Sequence, residues 1–197
     1  MLTDIYKENV NIAIWQRQSQ PMLDSYASQW ISQHPLHTPR LMLSLNNLNN
    51  ELEKLLPEEK HKDIFQNDVA FLIDMFACLF DVQEVGLRIT PLKTAMCPRF
   101  HVDKIPCRLV TTYGGLGTEW LQEDNIDRSR LGRGANGLPD DQSGIIQGDK
   151  TIQQVSNQQV ALLKGSGWIG NEERGLVHRS PSLSDDQKRL LLTLDFC

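Results

Sequence analysis

The spacing of the apolar residues changes at Asp81, and this change separates a helical part of the chain from a β-rich part. In residues 41–55 and 65–79, apolar side chains recur every three or four positions, which places them on one face of an α-helix. Pro57 and the charged residues after it separate the two runs, so we expect two antiparallel amphipathic helices. In residues 85–90, apolar residues alternate with glycine or polar residues, as in a β-strand that is buried on one face.

Short β-strands are predicted over most of the chain after Asp81, joined by turns rich in glycine and proline. Eight short strands within about 110 residues are typical of two facing sheets with short connections. We therefore predict an α+β fold in which N-terminal helices pack on a double-stranded β-helix, a cupin-like jelly-roll domain. The helical layer would span residues 1–84 and the β-domain residues 85–197, as one compact unit. The predicted strands lie near residues 85–92, 105–113, 117–122, 143–147, 151–155, 159–164, 174–178 and 189–196.

Two further helices and one long loop complete the predicted element order. The helices are expected around Val10–Gln18 and Leu23–Ser32, before Pro35 and Pro39 prevent the helix from continuing. The segment Arg128–Ser143 is rich in glycine, asparagine and aspartate, which is typical of an irregular loop. At the mouth of a β-domain, such a loop would act as a lid.

The charge pattern of the chain argues against several classes of partner. Twenty basic residues against 25 acidic ones give a formal net charge of −5, and no block of lysine or arginine marks a nucleic-acid or anionic-membrane surface. No stretch approaches the ~18 consecutive apolar residues of a membrane span, and the N-terminus lacks the apolar region of a signal peptide. We therefore expect a cytoplasmic protein without a nucleic-acid or membrane partner.

His101 and Asp103 begin a candidate metal site. They stand two positions apart in a segment that runs into a β-pattern, so on an extended backbone both side chains leave the same face. His178 lies far along the chain, before the last predicted strand. Two histidines and one carboxylate that converge at a barrel mouth form the facial triad that leaves adjacent positions open on Fe(II). These three residues are the predicted metal ligands, and no catalytic residue beyond them is assigned.

Arg189 is a candidate for binding a carboxylate. In the C-terminal segment RLLLTLDF, Arg189 shares a strand face with Leu191 and Thr193, while the intervening leucines lie on the opposite face. If that face lines the cavity, the guanidinium would hold a substrate or cosubstrate carboxylate, with the Thr193 hydroxyl nearby. Lys188 and Arg108 are alternative cations for the same role.

The order HVD, distal histidine, following arginine resembles the pattern of the iron- and 2-oxoglutarate-dependent dioxygenases. In those enzymes the two histidines and the carboxylate bind Fe(II), and the basic residue binds the distal carboxylate of the cosubstrate. The resemblance implies that His101, Asp103 and His178 bind Fe(II) and that Arg189 binds 2-oxoglutarate.

A closer resemblance is to an uncharacterised bacterial family, domain-of-unknown-function family 1826. It covers roughly residues 20–197 and rests on CPRFHVDKIPCRLVTTYGGLGTEWL paired with ALLKGSGW, GLVHRSPS and RLLLTLDF. That family has no established reaction, and its members tend to be encoded near zinc-homeostasis genes, including metallochaperone-like GTPases. The resemblance therefore implies a metal and leaves both iron and Zn²⁺ open.

Cys97 and Cys107 keep a zinc site in consideration. They flank the HVD segment, and thiolate is a ligand that Zn²⁺ prefers. Free cysteine is also among the most buried residue types, and no CxxC spacing is present. We expect all four cysteines, including Cys78 and Cys197, to be free thiols unless one of them binds a metal.

Three functions are compatible with these residues. The leading hypothesis is an Fe(II)/2-oxoglutarate-type oxygenase that acts on a small molecule or a protein. The alternative is a non-catalytic zinc-binding or zinc-homeostasis protein that uses the same ligands, with or without a cysteine. The third is a β-helix scaffold that has lost its metal and serves as an interaction module.

Overall fold

The computed structural model describes residues 1–148 and 151–196, and in it helices cover one face of a six-stranded antiparallel sheet. The α-helices are α1 (Pro21–Gln33), α2 (Leu48–Leu55), α3 (Lys62–Phe80) and α4 (Asp140–Ser143). The strands are β1 (Ile12–Trp15), β2 (Arg40–Ser44), β3 (Glu84–Leu92), β4 (Cys107–Tyr113), β5 (Glu119–Trp120), β6 (Gln153–Gln154), β7 (Val160–Lys164), β8 (His178–Arg179) and β9 (Arg189–Asp195). Short 3₁₀ helices span Leu2–Tyr6, Leu45–Asn47, Glu123–Asn125, Arg128–Arg130 and Gly132–Ala135.

The larger sheet has the strand order β1-β7-β4-β9-β3-β2, and every neighbouring pair is antiparallel. The last strand, β9, lies between β3 and β4, so the two ends of the β-rich part meet in the middle of the sheet. In this register Thr193 of β9 lies opposite Arg88 of β3 on one side and Val110 of β4 on the other. Successive side chains of a strand point to opposite faces of the sheet. Paired residues such as Thr193, Arg88 and Val110 therefore point to the same face.

The helices cover the face to which the even-numbered residues of β9 point. Leu190, Leu192 and Leu194 have no exposed surface and belong to the same core cluster as the buried residues of α1 and α3. In α3 the buried residues recur at spacings of three and four, so one side of the helix is apolar. Pro21 begins α1, where its fixed φ suits the first helical turn.

The opposite face of the larger sheet lines a cavity of about 570 Å³. Arg189, Leu191 and Thr193 of β9 contribute to its wall, and they share one strand face, as the alternation in the sequence predicted. The smaller sheet has the order β6-β5-β8, and its strand β8 adds His178 and Arg179 to the lining. The cavity therefore has one wall from each sheet. The larger sheet contributes the predicted site residues Arg108, Arg189 and Thr193, and the smaller sheet contributes His178.

Two of the predicted helical segments contain strands instead. The helix expected around Val10–Gln18 is wrong, because Ile12–Trp15 forms β1 and pairs with β7 at the sheet edge. The helix expected from Leu41 is wrong over its first part, because residues 40–44 form β2 along the opposite edge and the α-helix begins only at Leu48. Both strands are stabilised by backbone hydrogen bonds to residues distant in sequence, which local apolar spacing does not reveal. The other two predicted helices are confirmed as α1 and α3.

The longer predicted strands are confirmed, and the short ones are reduced. β3, β4, β7 and β9 begin and end within two residues of their predicted bounds. Those predicted near 117–122 and 151–155 shrink to the two-residue strands β5 and β6, and the one near 174–178 is formed only at its end, where β8 begins.

The strand predicted near 143–147 is wrong. α4 ends at Ser143, and Ile146 forms only an isolated bridge with Ile126. The segment Arg128–Ser143 is irregular, as predicted, with two 3₁₀ turns before α4. No helix among residues 1–148 and 151–196 is long and apolar enough to cross a bilayer. Cys197, one of the predicted free thiols, lies outside the described residues.

Candidate metal centre

His101 and His178 lie directly opposite each other on neighbouring extended segments. Each backbone N–H donates to the other residue's carbonyl, with both N···O distances at 3.0 Å. Residues paired in this way project their side chains from the same side of the sheet. The two imidazole rings are accordingly neighbours, with centroids 4.5 Å apart.

Asp103 completes the cluster two residues after His101. Its Oδ1 lies 3.8 Å from Nε2 of His101, and its Oδ2 lies 3.6 Å from Nε2 of His178. One ligand atom from each of the three residues lies within 4.8 Å of the others. The structure thus brings together the three residues that the sequence predicted as metal ligands, with their donor atoms turned toward a common point.

Backbone carbonyls fix which ring nitrogen of each histidine is free. Nδ1 of His101 lies 2.9 Å from the carbonyl oxygen of Arg99, and Nδ1 of His178 lies 3.1 Å from that of Leu176. A carbonyl can only accept a hydrogen bond, so in both rings Nδ1 carries a hydrogen and Nε2 is the nitrogen turned toward Asp103. Burial lowers the pKa of His178 to about 4, and the charge of Asp103 only partly opposes this. At neutral pH, His178 is therefore a neutral imidazole, the form that binds a metal ion.

Arg108 orients the carboxylate of the cluster. Its Nη1 donates to Oδ2 of Asp103 at 2.8 Å, while its Nε and Nη2 donate to the two oxygens of Asp195 at 2.6 and 2.8 Å. The guanidinium is thereby shared between two carboxylates of the chain. The sequence offers Arg108 as an alternative cation for a bound carboxylate, and in the structure its guanidinium already holds Asp103 in place.

A glycine-containing turn packs against the backbone that follows Asp103. Ser166 donates from its backbone N–H to the carbonyl of Asp103 at 2.8 Å, and its hydroxyl reaches the same oxygen at 3.2 Å. A Cβ at Gly165 would lie only 2.1 Å from the carbonyl oxygen of Ile105, so no larger residue fits without movement of one backbone. The GSG of the sequence block ALLKGSGW is thus needed for this close approach.

Asp140 and Arg179 connect the loop Arg128–Ser143 to both histidine segments. The carboxylate of Asp140 accepts from the backbone N–H of Phe100 at 3.0 Å and from Nη1 of Arg179 at 2.8 Å. Arg179 also donates to Glu119 at 2.7 Å. Phe100 precedes His101 in the chain and Arg179 follows His178. These contacts therefore hold both histidine segments in place from outside the cluster. The sequence prediction missed both residues, because their partners are distant along the chain.

Arg189 is completely buried and has no carboxylate partner among the described residues. Its Nη1 donates to the carbonyl of Leu116 and its Nη2 to the hydroxyl of Ser180, both at 3.1 Å, while its Nε has no hydrogen-bond partner. Burial lowers the pKa of its guanidinium to about 10, although the charge of Glu119 opposes this. An unpaired buried cation that lines a cavity is a natural position for an anionic ligand.

The other predicted cofactor residues divide between the cavity and the surface. Thr193 is buried and lines the cavity on the same face of β9 as Arg189. Lys188, the alternative cation, is exposed and does not contribute to the cavity wall. Of the cations considered for a bound carboxylate, Arg189 is therefore the one that is both inside the cavity and free of a carboxylate partner in the described chain.

Neither flanking cysteine joins the cluster. Cys107 belongs to the core between the sheet and the helices, and burial raises the pKa of its thiol to about 12, so it stays protonated. Cys97 lies at the cavity wall, and in the described part of the chain the group of candidate metal-binding side chains contains no cysteine. The donor set is two imidazoles and one carboxylate, without a thiolate.

Comparisons with known proteins agree with this fold. The family model described as "Protein of unknown function (DUF1826)" matches residues 1–195. No curated protein sequence matches the chain. Among solved structures, it is similar to the dioxygenase for auxin oxidation from rice, with a TM-score of 0.51, 10% identity, and coverage of 95% of this chain and 74% of the other. It is also similar to the Fe(II)/α-ketoglutarate-dependent dioxygenase TqaL, with a TM-score of 0.50, 12% identity, and coverage of 98% and 84%.

At sequence identities of 10% and 12%, the similarity concerns the fold alone. The strand order, the helices on one face and the neighbours together confirm the predicted class, an α+β protein with helices packed on a double-stranded β-helix. In such a fold the space between the two sheets is where a ligand is enclosed. In this chain His101, His178 and the buried Arg189 line that space, and Asp103 lies beside the two histidines.

Proposed function

The chain belongs to the family of unknown function DUF1826, and we propose that it is an Fe(II)/2-oxoglutarate-dependent oxygenase with His101, Asp103 and His178 as metal ligands. Two imidazoles and one carboxylate suit Fe(II), and a three-ligand set leaves positions for a cosubstrate and O₂. The Nε2 atoms of both histidines and the Asp103 oxygens already face one another across 3.6 to 3.8 Å. The residues present therefore fit the ion.

The observation that carries the proposal is that Arg189, which lines the same cavity as the two triad histidines, has no carboxylate partner among the described residues. A buried cation is unfavourable unless an anion or several hydrogen bonds compensate it. 2-Oxoglutarate has a carboxylate at each end, so one end would bind the metal while the other binds Arg189. The bidentate geometry of a guanidinium matches that second carboxylate, and the Thr193 hydroxyl lies on the same strand face.

When bound, iron with 2-oxoglutarate and O₂ would supply the oxidising chemistry, in which 2-oxoglutarate is converted to succinate and CO₂. The residues of the chain bind and orient. Arg108 keeps the Asp103 carboxylate turned toward the two imidazoles, and Arg189 fixes the direction of the cosubstrate. Val110 and Leu191 give the cavity wall an apolar component that limits water near the site.

The test is uncoupled turnover without a primary substrate. Protein reconstituted with Fe(II) is incubated with 2-oxoglutarate under air, and succinate is measured. We expect slow succinate formation by the unmodified chain and none by His178→Ala. The matched control is His34→Gln. His34 lies outside the cluster, and its ring contacts Glu59. Metal-loaded protein that forms no succinate, and whose stability does not change with 2-oxoglutarate, would contradict the proposal.

A measurement of metal content tests the zinc alternative in which a cysteine is a ligand. The cysteine that would favour a zinc protein is absent from the donor set in the described part of the chain. We therefore expect no change in metal content when Cys97→Ser is compared with the unmodified protein. A marked loss of bound Zn²⁺ in that variant would instead support a zinc-binding protein with a thiolate ligand.

A further inference from the structure

Arg40 and Arg88 lie directly opposite each other on β2 and β3, and both line the cavity that contains the triad. Like charges directly opposite on neighbouring strands destabilise a sheet. Arg88 is half-buried and Arg40 is exposed, so the pair stands at the mouth of the cavity. A destabilising pair at this position calls for a compensating charge.

The described part of the chain supplies no such charge. Neither guanidinium forms an ion pair or a side-chain hydrogen bond with a described residue. Two other arginines of the cavity wall are neutralised: Arg108 by Asp103 and Asp195, and Arg179 by Glu119 and Asp140. Acidic residues outnumber basic ones in this protein, 25 to 20, so a lack of carboxylates in general does not explain the unpaired arginines.

The pair is separate from the proposed cosubstrate position. Arg88 lies opposite Thr193 of β9, and Thr193 is four residues from Arg189. Four residues of a β-strand span about 13 Å, so the backbones of Arg88 and Arg189 lie far apart along the cavity wall. The cavity thus has two cationic positions, one at its buried end and one at its mouth.

An apolar surface adjoins the pair. Met42 follows Arg40 by two residues on the same face of β2, lines the cavity and is 65% exposed. Gly86 lies opposite Met42 and presents no side chain that would cover it. A ligand whose anion binds the two arginines would therefore find an apolar contact next to them.

We infer that Arg40 and Arg88 bind the anionic group of the primary substrate, a small organic acid or phosphate ester with an apolar portion that contacts Met42. That this ligand is a substrate depends on the proposed oxygenase function, whereas the anion site itself depends only on the two arginines. Two guanidinium groups on one anion give several charge-assisted hydrogen bonds and relieve their mutual repulsion.

The test uses inorganic phosphate as the probe and the metal-free protein in ¹⁵N-labelled form. Binding is followed by the shifts of the arginine Nε–Hε signals, with assignment from the variants Arg40→Gln and Arg88→Gln. Because both arginines contact one anion, either variant should weaken phosphate binding by about tenfold or more. Arg133→Gln is the matched control, because Arg133 is exposed and outside the cavity wall, and it should leave the affinity unchanged.

Protection of the sheet edge is the other explanation for the two arginines, and it predicts a different result. Charged residues on edge strands also prevent edge-to-edge pairing, and β2 is an edge strand. If phosphate shifts neither Nε–Hε signal, while Arg40→Gln and Arg88→Gln aggregate more readily than the control, the pair protects the edge and our inference is wrong. No metal or 2-oxoglutarate is present in this experiment, so its outcome is independent of whether the chain is an oxygenase.

Discussion

Replacement of Arg189 by methionine should leave the metal-free protein at least as stable as before, although a fully buried side chain is changed. The fall of the Arg189 pKa from 12.5 to about 10 means that the charged form is disfavoured by about 3 kcal/mol in the folded state. The substitution removes this cost. It also removes hydrogen bonds to Leu116 and Ser180, which together contribute about 1 to 3 kcal/mol. The net change in unfolding free energy should lie between about 0 and +2 kcal/mol.

Urea denaturation at neutral pH measures this change, with Arg179→Met as the matched control. Arg179 forms ion pairs with Glu119 and Asp140, so its removal takes a guanidinium partner from two carboxylates and should cost about 1 to 3 kcal/mol. A second series adds Mn²⁺ and 2-oxoglutarate in the absence of O₂. At a hundredfold excess over the dissociation constant, 2-oxoglutarate should stabilise the unmodified protein by about 2.7 kcal/mol and Arg189→Met by much less.

Either of two results would contradict this prediction. If Arg189→Met loses more than about 3 kcal/mol, the guanidinium is a structural group that its two hydrogen bonds fully compensate. If 2-oxoglutarate stabilises Arg189→Met as much as the unmodified protein, the cosubstrate carboxylate does not bind at this position.

Three further predictions concern the support of the triad. Arg108→Gln should lower metal affinity by about 10- to 100-fold, because Asp103 loses the group that orients it. Competition with a fluorescent chelator measures this affinity, and an unchanged value would contradict the role of Arg108. The folded-state pKa of His178, about 4, lies below its ordinary value of 6.5. Between these two values only the unfolded chain takes up the proton, so the metal-free protein should lose stability as the pH falls from about 6.5 to 4. His178→Gln should reduce that slope in urea titrations at several pH values, and an equal slope would count against a neutral His178. Gly165→Ala should destabilise the protein and weaken metal binding, because the added Cβ would meet the Ile105 carbonyl; a fully stable variant with normal affinity would show that the turn can move freely.

The strand pattern of the C-terminus allowed a detailed prediction. In RLLLTLDF the alternation assigned Leu190, Leu192 and Leu194 to one face and Arg189 and Thr193 to the other, and the structure has the leucines in the core and the other two at the cavity. Such alternation is a local property of the chain, so it can be read without knowledge of the fold. The pairing of His101 with His178 is not local, and only the order of the motifs suggested it.

The residues that the sequence prediction missed depend on contacts between distant segments. Asp140 lies in an irregular loop, and nothing near it in the sequence indicates that it would bind Arg179 and the backbone of Phe100. Arg88 lies in a predicted strand, but its register partner Arg40 directly precedes a segment that the sequence predicts as a helix. The edge strands β1 and β2 were missed for the same reason, because their hydrogen bonds are to strands far along the chain.

Metal titration of the unmodified chain and its triad variants tests the central claim most directly. Protein stripped with a chelator is titrated anaerobically with Fe(II), and bound metal is counted per chain. We predict one ion per chain in the unmodified protein and in His34→Gln, and loss of most binding in His101→Ala, Asp103→Ala and His178→Ala. If the triad variants bind Fe(II) as tightly as the unmodified chain, or the unmodified chain binds none, the cluster is not a metal centre and the account is wrong.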